Sequence, residues 1–138
     1  MQNFKHYDME WKSYFNEAMD YCKVAVNASG KGKLGNVVIY NVVGISVENF
    51  MTSLLIREGN FPQHSSISGM LREIKKIMAV PDEFSVGVRL MNSFMNFCSL
   101  EIAPEKIPTD EEIGRMVGFV TSLRDWTSEC LASEVKSS

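Results

Sequence analysis

The chain has 138 residues, 45% hydrophobic and 22% charged, with a formal net charge of −3. A chain of that length buries a full core without needing a metal or a disulfide, and its composition is that of a globular domain rather than a disordered one. The acidic balance argues against a general nucleic-acid binder, which draws on clustered Lys and Arg, although nucleic acid on a local basic patch stays open.

Three cysteines, Cys22, Cys98 and Cys130, form no CxxC pair. They offer neither a zinc knuckle nor a thioredoxin motif and read as reduced, mostly buried thiols. The opening residues, MQNFKHYDMEWKSY, carry no apolar h-region, and no unbroken apolar run reaches the ~18 residues of a bilayer span. A soluble, cytoplasmic protein with no membrane association is the expectation.

The first helix is predicted over about His6 to Asn27. Trp11, Tyr14, Phe15, Ala18, Cys22 and Ala25 recur at three- and four-residue steps and share one face. Glu10, Lys12, Glu17, Asp20 and Lys23 fall mostly outside it.

Gly30-Lys31-Gly32-Lys33-Leu34-Gly35 interrupts the pattern and fits GxGxxG. A dinucleotide site needs a strand before this loop, a helix after it and parallel strands beyond. No such strands follow, so the segment reads as an interhelical turn and no cofactor is expected. Lys31 and Lys33 remain candidate contacts for a phosphate or an acidic partner.

The second helix is predicted from Asn36, as its cap, to about Glu58, with Gly59 ending it in a left-handed conformation. It is apolar nearly all round, from Val37 to Leu55, which places it at the centre of a bundle. Its β-branched residues permit a strand over Asn36 to Val43, but a pattern of more than 20 residues is too long for one. Glu48 is the unusual residue here. A carboxylate buried among apolar neighbours must be paired or protonated: it pairs with Arg57, Arg72, Arg89 or Arg124 or sits at a partly exposed position, or it marks a ligand-binding polar site in the bundle groove.

Asn60 to Ser66 is a loop around Pro62, and Ser65 or Ser66 caps a third helix over Ile67 to Met78. Its wet face is Arg72, Glu73, Lys75 and Lys76. Pro81 opens a fourth helix over about Asp82 to Leu100, with Met95 and Cys98 pointing inward. After a loop from Glu101 to Pro108, Thr109-Asp110-Glu111-Glu112 spells a capping box. The last helix runs to about Leu131, and a polar tail frays from about Ser133. The sum is all-α: a single domain over 1–138, folded as an antiparallel up-down bundle of about five helices.

Two histidines, His6 and His64, have no neighbour at a metal-ligand spacing, so no metal site is expected. His64 in its loop caps or hydrogen-bonds the third helix. Ser65 and Ser66 beside it lack the elbow a nucleophile needs.

Gly44-Ile45-Ser46-Val47-Glu48-Asn49-Phe50, then Leu54-Leu55, Gly59, and a His64 loop opening the next helix, together resemble the HEPN family of small helical bundles. The resemblance covers Asn36 to Met78, and beyond it only the number and length of the helices match. It implies homodimers, and either toxin-antitoxin ribonucleases or partners of nucleotidyltransferases. The family's ribonucleases carry an Arg and a His with four to six residues between them, late in the chain. Here the late helices hold no His, and the spacing recurs only at Arg57 and His64, with six residues between them. In the ribonuclease reading Arg57 stabilises a phosphate and His64 serves as acid or base. The leading expectation is a non-enzymatic bundle acting through protein partners as a homodimer, with Phe61, Trp11 and Trp126 as candidate anchors. A nucleotide or small-ligand binder built on Glu48 is the other alternative.

Overall fold

The computed structural model describes the backbone of residues 2–31, 35–94 and 107–133, and side chains within 10–29, 35–94 and 107–132. Among these residues there are five helices and no strand: α1 (Gln2–Lys31), α2 (Asn36–Arg57), α3 (Ile67–Ile77), α4 (Glu83–Asn92) and α5 (Asp110–Ser133). The inward positions of Met95 and Cys98, the far end of the expected fourth helix, most of the following loop and the polar tail lie outside the described residues.

α1 is longer than its apolar stripe suggested, passing through Ser29 to Lys31. The stripe continues to Ala28, which is buried with Ala18, Cys22 and Ala25. The Ser29 hydroxyl turns back to the Val26 carbonyl at 3.3 Å, so the serine is satisfied inside the helix instead of ending it. These small residues let α1 lie close along α2, where the buried Ser46 hydroxyl donates to the Ala18 carbonyl at 2.8 Å. Phe15 meets Phe50 edge-on across the same seam, ring centres 5.8 Å apart.

α2 packs against α1, α3 and α5. Val43, Val47, Phe50, Met51, Leu54 and Leu55 are essentially sealed from solvent. By length and composition alone it is apolar enough to cross a bilayer, and half of that window is buried inside the fold. The helix ends as expected: Gly59 takes φ +83°, its N–H donates to the Ile56 carbonyl and that of Asn60 to the Leu55 carbonyl, closing a Schellman motif. Its start differs from expectation. Gly35 occupies the cap position without a side-chain bond. Asn36 is the first helical residue, and its amide instead ties α2 to the opening of α5, donating to the Pro108 carbonyl at 2.8 Å and to Asp110 Oδ1 at 2.9 Å.

Ser66 caps α3, accepting from the Gly69 N–H at 3.0 Å. Pro81 does not begin α4 itself. Phe84 and Ser85 donate to the carbonyls of Pro81 and Asp82, a tight turn that feeds the helix at Glu83. At the head of α5 both bonds of the capping box form: Thr109 N–H to Glu112 Oε1 at 2.9 Å, and Glu112 N–H to Thr109 Oγ1 at 3.1 Å. α4 and α5 meet through aromatic rings. Phe84 lies edge-on to Trp126 at 5.3 Å and beside Phe119, whose ring covers the backbone of Gly87 so closely that no Cβ fits there. Burial pushes the thiols of Cys22 and Cys130 up from their ordinary pKa, which keeps them protonated.

Candidate functional site

Glu73 sits seven residues into α3, where helical periodicity assigns it to the solvent side with Arg72, Lys75 and Lys76. Those three are exposed, but the Glu73 side chain is only 13% exposed. It bends back over the α2–α3 loop. Its Oε2 accepts the Gln63 N–H at 2.9 Å and the His64 N–H at 3.1 Å, and lies 2.8 Å from His64 Nδ1. The His64 hydrogen bond, more than any other influence, holds the Glu73 carboxyl below the usual carboxylate range. One carboxylate thereby organises the loop and fixes the edge of the imidazole that faces it. Gly69, one turn into α3, makes the fit possible, because a Cβ there would collide with the His64 ring.

The ordered loop forms one wall of a groove of about 660 Å³. Glu10 and Tyr14 of α1, one turn apart, form another. Glu48, Asn49, Thr52 and Ile56 of α2 form the floor, and Phe61, Gln63, His64, Ser65 and Met70 close the far side. Among the described residues no Lys or Arg lines it. Partial burial pushes the Glu48 carboxyl up from the ordinary range. Among the described residues no ion pair joins it to Arg57, Arg72, Arg89 or Arg124, the partners its sequence context suggested. Arg115 and Arg124 pair instead with Glu111 and Asp125, their neighbours on α5. Glu10 is more constrained still: its Oε1 is shielded from solvent and has no hydrogen-bond partner.

A second groove, of about 350 Å³, lies on the other side of Glu48 and Ser65. It runs between α2 (Asn41, Gly44, Ile45) and the facing ends of α3 and α4 (Ile67, Met91, Asn92). Beside it the outer line of α2 is a ridge: Val38 is 46% and Ile45 40% exposed, about two turns apart, with exposed Asn41 between them and exposed Glu48 one turn beyond. The central helix therefore has one open side, where its all-round apolar sequence suggested closure.

Of the candidate residues, the structure brings Glu48 and His64 to one groove and places Arg57 elsewhere. The Arg57 guanidinium lies 5.0 Å from the centre of the Trp11 ring, and its Nη2 donates to the Leu131 carbonyl at 2.9 Å near the end of α5. It works as a clasp between α1, α2 and α5, and is absent from the groove that His64 lines. Lys33 and the Lys31 side chain lie outside the described residues. Trp11 and Trp126 are occupied by internal packing, while Phe61 is 48% exposed at the groove rim. Glu10, Tyr14 and Glu73 belong to the site without having been singled out from the sequence. The spacing of Glu10 and Tyr14, four residues apart on one helix, was the only signal available for the first two.

Neither a family model, a curated protein nor a solved structure matches this chain.

Proposed function

We propose that this chain is a non-enzymatic, HEPN-like helical bundle that works through protein partners and pairs with a second copy of itself across the outer line of α2. The observation that carries this reading is the exposed Val38–Ile45 ridge lying directly beside the α2–α3–α4 groove. A two-fold interface must be self-complementary, since the same patch serves both copies. A ridge next to a groove on one face meets that need: each copy's ridge seats in the other's groove. Ile45 belongs to both features. The contact would cover β-branched side chains that a monomer leaves in water, without disturbing the buried side of α2. The HEPN-like layout adds a nucleotidyltransferase as the heterologous partner to try first.

The ribonuclease alternative has less to support it. Its Arg57 is engaged by Trp11 and Leu131, and the groove at His64 is lined by Glu10 and Glu48, which repel a phosphodiester.

Sedimentation velocity on the full chain tests the pairing. The parent is expected at twice the mass of one chain, and Val38→Glu with Ile45→Glu at half that mass with unchanged helical circular dichroism. Both positions are exposed, so the substitutions cost the fold little. A monomeric parent, or a dimer indifferent to both substitutions, would remove the proposal.

A further inference from the structure

The groove between α1, α2 and the His64 loop contains two acids and, among the described residues, no Lys or Arg, and the situations of the two acids differ from that of Glu73. The Glu73 carboxylate is hydrogen-bonded by His64 and two backbone N–H groups. Glu10 and Glu48 have no such compensation. Glu10 Oε1 is cut off from water yet accepts no hydrogen bond, which is costly for a carboxylate oxygen and is seldom left so in a folded protein. Glu48, exposed on α2, lies on the floor of the same groove, and desolvation there pushes its carboxyl up from the ordinary range. The remaining surface is mixed: the rings of Tyr14, Phe61 and His64, the apolar ends of Ile56 and Met70, and the polar side chains of Asn49, Thr52, Gln63 and Ser65.

Two carboxylates set among aromatic rings and apolar side chains are complementary to one ligand class. A positively charged nitrogen in the groove neutralises the Glu10 and Glu48 carboxylates that line it. A short alkyl stem covers Ile56 and Met70, and the aromatic rings attract the cation through their faces. A phosphate or carboxylate ligand would meet the like charge of Glu10 and Glu48, with no Lys or Arg among the described lining residues to offset it. A bare divalent ion is poorly served, because no group of three or more His, Cys, Asp or Glu among the described residues is placed to hold one.

We propose that this groove is a binding site for a small organic cation, an alkylammonium or alkylguanidinium, held by Glu10 and Glu48. The site shares Glu48 and Ser65 with the pairing groove, whereas Glu10 lies outside it, so loss of cation binding in Glu10→Gln with the mass of the parent retained separates this proposal from the dimer.

The test is titration calorimetry of the full chain with butylamine and butylguanidine, and with neutral butanol as control. Either cation is expected to bind and butanol not to, with affinity falling as salt rises. Glu10→Gln and Glu48→Gln, which keep shape and lose charge, are each expected to weaken binding by about tenfold or more. Methyl-resolved NMR on the parent localises the ligand without any substitution: the signals of Thr52, Ile56 and Met70 are expected to move, and those of Val86 on α4 to stay. Absence of binding by either cation, equal binding of butanol, Gln variants that bind like the parent, or shifts confined to other helices would each overturn the assignment.

Discussion

His64 Nδ1 lies 2.8 Å from Glu73 Oε2, and the same oxygen accepts the backbone N–H groups of Gln63 and His64. A carboxylate from the middle of α3 thus holds the preceding loop in place, and that loop forms one wall of the larger groove. Glu73→Gln keeps the shape but weakens three bonds to an ionised acceptor. The Gln63 and His64 amides are expected to exchange with solvent about tenfold faster or more, the weight of one charge-assisted bond. Hydrogen exchange read by NMR checks this, and unchanged protection would show that the loop is held by something else.

Acid should have the same effect in the parent. The folded-state pKa of Glu73 is lowered, chiefly by His64. Its contribution is therefore present above the ordinary carboxylate pKa and disappears as pH falls through the lowered value. Thermal melts of parent and Glu73→Gln should differ at pH 7 and converge as the pH drops below about 4, the ordinary carboxylate range. Curves that stay parallel throughout would contradict the assignment.

Glu48 has the opposite sign. Burial raises its pKa, so the folded state favours the protonated acid. That contribution is complete below the ordinary carboxylate pKa and is lost as pH rises through the raised value. At pH 7 the ionised side chain costs stability, and Glu48→Gln is expected to raise the melting temperature. Because the side chain is exposed, water screens the effect to less than about 1 kcal/mol. The gain should vanish at low pH. A loss of stability at pH 7 would mean that Glu48 is paired in solution.

Two helical glycines should respond to alanine in opposite directions. At Gly118 a new Cβ meets nothing within 4 Å, and the gain is the ordinary helix preference, about 0.5–1 kcal/mol. At Gly87 it meets the ring of Phe119, which is braced by Phe84. Overpacking of about 1–3 kcal/mol there exceeds the same helical gain, so Gly87→Ala is expected to destabilise. Denaturant midpoints of the two variants give the comparison, and equal stabilisation of both would mean that Phe119 is free to move.

Thr109→Ala removes one half of the capping box at the head of α5. A loss of about 1 kcal/mol is expected, within the range for cap removal. Thr109→Ser, which keeps the hydroxyl, should retain most of the stability in the same denaturant series.

Local rules written into the sequence determined much of this protein. Three- and four-residue spacing marked the helices, Gly59 marked a left-handed ending, Ser65 or Ser66 a cap and Thr109 with Glu112 a reciprocal box. Each of these is decided within a few residues, because helix ends must satisfy their own backbone groups nearby. The tertiary structure decided what those rules leave open. Periodicity sent Glu73 to the wet face, yet it turned to two loop amides and an imidazole nine residues earlier. Asn36 was free to cap its own helix and instead tied down the start of α5, 72 residues away at the Pro108 carbonyl. Arg57 and His64 matched a spacing, but the end of α2 directs one to Trp11 and the other to the groove. An all-round apolar α2 did not reveal which line would face water, since that depends on which neighbours arrive. Long polar side chains have many partners within reach and similar energies among them. Only the packed arrangement of the helices selects one.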